Sequence, residues 1–230
     1  MDTEADRVRS AYARRAALGL DARYEYWQPA NLFVYQTRER AMLSLMQRAG
    51  VLPLEGKRVL DVGCGDGAVQ RDMLRYGARP SDLHGLDLLP DRVERARALT
   101  PDAHIDCADA RHLPYDTGYF DLVLGFTLLS SVTSAHARQQ VTSEMSRVAR
   151  PGGLVLIYDF WINPTNRDVH ALRRSEVRAL FRGRDVEFAS TTLAPPIVRA
   201  LTRAPGGWIA CTALDMLRFL RTHYIAAVHI

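Results

Sequence analysis

Two hydrophobic periodicities alternate along this chain. Residues 3–20 carry apolar side chains at helical spacing, and a second helical pattern runs from about 34 to 49, where Gly50 is a fitting C-cap. From residue 57 on, compact apolar runs take turns with helical stretches. Segments 57–62, 83–88, 103–107, 120–126 and 154–160 read as strands, and 66–76, 90–99 and 135–149 as helices. Gly77 closes the first of these helices, Pro90 opens the second, and Pro151-Gly152-Gly153 terminates the third. Such alternation predicts a parallel sheet with helices on both faces. The runs at 120–126 and 154–158 suit strands buried on both sides. Beyond Asp159 the rhythm changes to a helix over 173–182 and a strand over 185–193. A helical segment over 196–221, interrupted by Pro205-Gly206-Gly207, and a β-rich end over 224–230 follow. No repeat or low-complexity linker divides the chain, so a single domain over 1–230 is expected.

Composition narrows this picture. At 47% hydrophobic and 24% charged residues, the 230-residue chain is ordinary globular material. The start, Met1-Asp-Thr-Glu-Ala-Asp, lacks the basic and apolar stretches of a secretion signal. The longest apolar stretch, 208–220, contains Asp215 and Arg218, so no membrane span is expected. Cys64, Cys107 and Cys211 are widely spaced and form no CxxC; a cytoplasmic chain without disulfides or a bound metal is expected. The net charge of +4 comes from 29 arginines and one lysine, Lys57, against 26 acids. Arg174, Arg178 and Arg182 share a helical face, which reads either as a contact for an anionic partner or as a solvated surface. Only Phe181 interleaves with that charge, so nucleic acid is not the expected partner.

The chemistry concentrates at 59–67, Val-Leu-Asp-Val-Gly-Cys-Gly-Asp-Gly, a buried strand running into a turn with glycine at every second position. Such a loop lies against a nucleotide-like cofactor. Gly63-x-Gly65-x-x-Ala68 also satisfies the dinucleotide fingerprint, so the loop alone leaves a nicotinamide cofactor open. Asp87, at the end of the next strand, is placed to accept hydrogen bonds from ribose hydroxyls under either reading. Asp61 and Asp109 separate the two. A carboxylate two residues before the first glycine repels a pyrophosphate and attracts a cationic amino acid. An acid at 109 can accept from an exocyclic adenine amine, which dinucleotide folds do not require there.

Five blocks now stand in order: Leu60–Gly67, Gly85-Leu-Asp-Leu88, Ala108-Asp-Ala110 with Leu113-Pro114, Phe120–Phe126, and Arg150-Pro-Gly-Gly153. In these the chain resembles the class I S-adenosylmethionine-dependent methyltransferases over roughly residues 55 to 160. The resemblance implies a Rossmann-like, doubly wound, mostly parallel seven-stranded sheet with an antiparallel last strand. It also implies a helical N-terminal lid at 1–50 and a helical insertion at 196–221, within substrate-side elements over 161–230. It implies that Asp61 with the loop residues Gly63, Cys64 and Gly65 holds the methionine end of the cofactor and that Asp87 holds the ribose. Leu88 would pack on the adenine, Asp109 and Ala110 would meet its edge, and the Phe126 carbonyl would face the ammonium. Tyr12 is either a lid contact or a packing residue.

The implied reaction is methyl transfer to a small-molecule, glycan or lipid-like acceptor, at oxygen, by in-line displacement. A nicotinamide-dependent oxidoreductase, or a methyltransferase acting on RNA or protein, is the alternative. The family has no universal catalytic residue, so none is assigned; His112, His136 and His170 are candidates only by position. Leu193, Ile197, Leu201, Trp208, Leu214 and Leu217 would give the insertion an apolar inner face, and Asn163–Asp168 could contact a polar acceptor.

Overall fold

A computed structural model describes residues 3–19, 25–163 and 168–230. The stretch 164–167, within the segment expected to meet a polar acceptor, lies outside the described residues. Helices α1 (Thr3–Ala17) and α2 (Pro29–Arg48) lead into β1 (Val59–Val62), α3 (Ala68–Arg75), β2 (Leu83–Asp87), α4 (Pro90–Leu99) and β3 (His104–Cys107). Then come β4 (Phe120–Phe126), α5 (Ala135–Val148), β5 (Ala149–Phe160), α6 (Arg174–Leu180) and β6 (Asp185–Leu193). The chain closes with α7 (Pro195–Leu201), α8 (Gly207–Asp215) and β7 (Arg221–His229). Local chemistry sets several boundaries. Pro29 occupies the first turn of α2, so that helix starts earlier than its apolar periodicity indicates. Ser134 caps α5, its hydroxyl accepting from the Ala137 N–H at 3.3 Å.

The seven strands form one sheet in the order β3-β2-β1-β4-β5-β7-β6. All pairings are parallel except those of β7, which runs antiparallel between β5 and β6. Strand order reverses between β1 and β4, and ligands of open α/β sheets bind at the carboxyl ends of the strands at such a switch point.

Both faces of the sheet are covered, and side chains alternate between them except at the slip between Phe120 and Leu122. Leu60, Val62, Val155, Ile157, Tyr224, Ala226 and Val228 pack with Val141 and Met145 of α5 and Val177 of α6. Val59, Leu122, Leu124, Leu154, Leu156 and Tyr158 pack with Met42, Leu45 and Met46 of α2 and Met73 of α3. By the same alternation Asp61 belongs to the α2 face.

Two expectations change. Pro151-Gly152-Gly153 does not separate α5 from the next strand: β5 begins at Ala149 and runs through all three residues. The pairing slips there, from Phe120 against Ala149 to Leu122 against Leu154. The end of the chain holds the bulged segment, with Gly152 N–H donating to the Ile230 carbonyl at 2.8 Å and Ile230 N–H to Gly153 at 3.1 Å. The arginine face of 173–182 is the second. Arg182 lies beyond the end of α6, while Arg174 and Arg178 lay their guanidinium groups over the Phe188 ring of β6, at 5.5 and 4.9 Å.

A Cβ at Gly153 would stand 2.8 Å from the Arg150 carbonyl oxygen and 3.1 Å from that of Asp121, both fixed backbone atoms. Gly153→Ala is therefore expected to destabilise the fold by about 1–3 kcal/mol. Urea unfolding checks this, with the midpoint shifting at constant slope.

Candidate cofactor site

The turn after β1 folds back over the end of β2. Gly63 and Cys64 both donate their N–H to the Leu86 carbonyl, at 2.7 and 3.0 Å. Gly63 holds φ +73°, and a Cβ there would stand 3.0 Å from Leu128 Cδ1 across the cavity, so the space in front of this backbone depends on glycine. Asp87 fixes the loop from the other side: one carboxylate oxygen accepts the Gly65 N–H at 2.9 Å and the other the Leu89 N–H at 2.9 Å. A carboxylate has further lone pairs, so Asp87 can bind a ligand hydroxyl without releasing the loop.

A cleft with about 800 Å³ of empty space, counting its open mouth, lies over these strand ends. Its walls bring together seven of the ten expected site residues: Tyr12, Gly63, Asp87, Leu88, Asp109, Ala110 and Phe126. Asp61, Cys64 and Gly65 do not line it. The Cys64 side chain packs instead against Val93, Ala96 and Ile105, and burial pushes its thiol pKa well above the ordinary range. Asp61 is 2% exposed. Burial, with the Asp87 charge adding to it and Arg38 opposing, pushes its pKa up to about 8. Gly63, Asp87 and Asp109 suit S-adenosylmethionine: a backbone cradle that a Cβ would fill, and carboxylates in the cleft wall that can accept from hydroxyl and amine groups. The sheet also differs from the dinucleotide pattern, because β7 enters antiparallel between β5 and β6.

Comparison with known proteins agrees. The sequence profile of a methyltransferase domain matches residues 60–157. Residues 60–157 are a class I methyltransferase domain.

Methyltransferase GfsG of Streptomyces halstedii is 35% identical over 163 residues, which are 67% of this chain and 56% of that protein. The 27-O-demethylrifamycin SV methyltransferase of Amycolatopsis mediterranei is 33% identical over 161 residues, 66% of this chain and 56% of that protein. The chain thus spans little more than half the length of these curated relatives. The solved structure of magnesium protoporphyrin IX methyltransferase from Synechocystis PCC 6803 with bound SAH shares the fold, at a TM-score of 0.66 and 14% identity, over 97% of this chain and all of that one.

Around the methyltransferase domain, several contacts were not visible in the sequence. Arg111 grips Asp109 bidentately, its Nε 3.0 and 3.1 Å from the two carboxylate oxygens, so an adenine amine would share that carboxylate with the guanidinium. Arg92 of α4 lies 4.3 Å over the Tyr12 ring and lines the cleft. Arg38 of α2 lies over the rings of Tyr35, Phe126 and Tyr158, at 4.8, 5.3 and 5.5 Å, on the face that carries Asp61. Thr127, at the end of β4, has φ +53°, a strained setting for a β-branched residue, and its hydroxyl donates to the Phe126 carbonyl at 2.7 Å. Arg92 over Tyr12 and Arg38 over Phe126 and Tyr158 join elements distant in the chain, and the Thr127 setting depends on a single backbone angle, so no spacing in the sequence signals them; Arg111 and Asp109 stand two residues apart in one turn, whose backbone shape brings them together.

Helix α1 forms one wall of the cleft and docks through polar contacts. Glu4 accepts the Thr133 N–H at 2.7 Å, Arg7 donates to the Ser131 and Asp168 carbonyls, and Arg14 pairs with Asp168 at 2.9 Å. The Tyr12 hydroxyl stands 3.3 Å from that of Ser131. None of the three candidate histidines lines the cleft, and His170 is held by Glu176 at 3.0 Å. The insertion also lies elsewhere. Leu193, Ile197, Leu201 and Leu214 pack inward with Phe33 of α2, Val198 and Cys211; Trp208 sets its ring edge-on against Phe33 at 5.3 Å while staying partly exposed, and Leu217 is exposed. No residue of 161–230 among those described lines the cleft.

The raised Asp61 pKa has a measurable consequence. The carboxyl is largely protonated at neutral pH when no cation faces it, and pairing with an ammonium requires the ionised form. S-adenosylhomocysteine affinity is expected to rise with pH, approaching tenfold per unit between about pH 6 and 8 and levelling above, with proton release on binding. Calorimetry in buffers of different ionisation enthalpy reads this directly. In the ligand-free chain the folded pKa lies above the unfolded value of 3.8, so the native state binds more protons. Stability is therefore lost as pH rises from about 4 to 8, and Asp61→Asn should remove both dependences.

Proposed function

We propose that this chain transfers the methyl group of S-adenosylmethionine to an oxygen of a small-molecule acceptor. The carrying observation is the pair of acids Asp61 and Asp87 at the ends of adjacent strands, beside a glycine cradle in a methyltransferase domain. The name of the Amycolatopsis relative, a methyltransferase of an O-demethylated compound, supports oxygen as the accepting atom. Asp61 would face the ammonium, Asp87 the ribose and Asp109 the adenine edge, with α1 and Tyr12 as the lid.

The bound cofactor supplies a methyl already activated on a sulfonium. An acceptor hydroxyl held in line would take that methyl, with S-adenosylhomocysteine as the leaving group and the hydroxyl proton released to water. The cleft offers acids and arginines but no histidine, cysteine or lysine among its lining residues. Its carboxylate nearest the lid, Glu4, is committed: burial raises its pKa, but hydrogen bonds from Arg7 and Thr133 outweigh that and hold it below the ordinary value. The protein's part is therefore to hold donor and acceptor close and aligned.

Thermal unfolding with S-adenosylhomocysteine and with NAD tests the donor. Ligand at a hundred times its dissociation constant adds about 2.7 kcal/mol, on the order of 5–10 °C for a chain of this size. Stabilisation by NAD alone would refute the reading. Asp87→Asn should weaken S-adenosylhomocysteine by at least about tenfold, as expected when a charge-assisted hydrogen bond is lost. Tyr12→Ala, which loses the ring under Arg92, should raise the KM for S-adenosylmethionine several-fold in a labelled methyl-transfer assay.

A further inference from the structure

Helix α8 is apolar on its inner and outer faces, with its one charged residue, Asp215, at its last position. Its inner face, Cys211 and Leu214, packs with Phe33, Leu193 and Val198. Its outer face carries Ile209, Thr212, Ala213 and Met216, at i, i+3, i+4 and i+7, all exposed, while Trp208 stands at the rim, its ring edge-on against Phe33 at 5.3 Å and partly open to solvent. Ile209 and Met216 are 76% and 77% exposed, and Phe219, three residues on, is 75% exposed. The one polar side chain, Thr212, donates its hydroxyl back to the Trp208 carbonyl at 2.9 Å. Exposed Trp161 and Ile162 adjoin the 216–221 segment. The Trp161 indole N–H donates to the Arg221 carbonyl at 2.9 Å and its backbone N–H to that of Thr222 at 3.1 Å. A helix that is apolar on both faces is ordinarily buried, and an exposed patch of large apolar side chains marks an interaction surface.

The charges around the patch indicate what covers it. Residues 195–221 contain four arginines and one acid, Asp215. Asp215 pairs with Arg221 at 3.1 Å. Arg199, Arg203 and Arg218 are exposed and make no ion pair among the described residues. Arg203 precedes α8 by four residues, and Arg218 follows it by three. An isologous pair of these faces would bring uncompensated arginines together. A small ligand requires a concavity, and none of these residues lines the cleft. Apolar side chains with tryptophan, bounded at both ends by arginine, match the boundary between acyl chains and anionic headgroups.

We propose that the outer face of α8, with Met216, Phe219, Trp161 and Ile162, seats on the surface of an anionic lipid bilayer. This docking is independent of the reaction proposed for the cleft. The helix lies on the bilayer rather than spanning it, since nine residues extend only about 14 Å. Trp161 follows the carboxyl end of β5, so docking turns toward the lipid the same edge of the sheet that carries the cleft.

Co-sedimentation of the full chain with vesicles tests the proposal, using phosphatidylcholine alone and phosphatidylcholine with one-third phosphatidylglycerol. Binding is expected to the anionic vesicles, about tenfold or more above the neutral ones, and to weaken with salt. Ile209→Glu/Met216→Glu and, separately, Arg203→Gln/Arg218→Gln should each reduce it by about tenfold or more. The thermal midpoint and the S-adenosylhomocysteine response should be unchanged. Should the glutamate variant fail to fold, bromine-labelled acyl chains provide a second reading: they should quench wild-type tryptophan emission, and Trp161→Phe/Trp208→Phe should lose most of that quenching. Absence of binding to anionic vesicles would overturn the proposal, as would equal binding by these variants. A dimer in sedimentation velocity that Ile209→Glu dissociates would assign the face to a second copy. Capture of an acidic protein without vesicle binding would assign it to a protein partner. Either outcome overturns the lipid assignment.

Discussion

Two carboxylates held close together at the ends of adjacent parallel strands govern this structure. Asp61 on β1 is almost fully removed from water, and that burial, with the Asp87 charge on β2 adding to it, holds its carboxyl in the protonated form up to about pH 8. Such an arrangement opposes the stability of the ligand-free fold. It is tolerated because the sheet and loop leave no alternative. Asp87 spends both oxygens on the backbone N–H groups of Gly65 and Leu89, which gives the glycine turn its shape. Asp61 sits on a strand buried at every position and is softened only by the field of Arg38. A cationic ligand would relieve both strains at once, so the fold and its binding preference share a physical origin.

The antiparallel placement of β7 decides how the other half of the molecule is used. By entering between β5 and β6, it moves β6 to the sheet edge. There α7 and α8 cover the start of α2 through Phe33, Leu193, Val198 and Cys211. The segment between β6 and β7 is thereby kept off the cleft, whose walls come from α1, from the ends of β1, β2 and β4 with the turns that follow them, from the turn after β3 and from α5. Cofactor chemistry and the exposed apolar face thus occupy separate parts of one sheet edge.

Much of this was legible in the order of residues, and the rest was hidden for identifiable reasons. Strand β4, helix α4 and strand β6 stand where periodicity put them, because each is bounded by local signals. The start of β5 was misread because Pro-Gly-Gly is a breaker in isolation. Here the bulged backbone is held by Ile230, a partner from the far end of the chain. Leu217 was expected to face inward and is exposed, because helical spacing cannot say which of two apolar faces is buried. Cys64 follows the same logic: its place in the loop was plain, but only the packing of α4 against β3 turned its side chain away from the cleft.

The sequence by itself determined the alternation of strands and helices, the glycine turn, and the acids at 61, 87 and 109. All of these follow from neighbours along the chain: apolar period, turn chemistry, and the residue at a strand's end. Only the tertiary structure decided the position of β7 and the docking of α1 on Ser131 and Asp168. It alone also showed that Arg38 lies on the Asp61 face and that α8 leaves an apolar side in solvent. Those depend on contacts between segments far apart in sequence, where the free energy of packing, not local propensity, selects among arrangements the pattern allows equally.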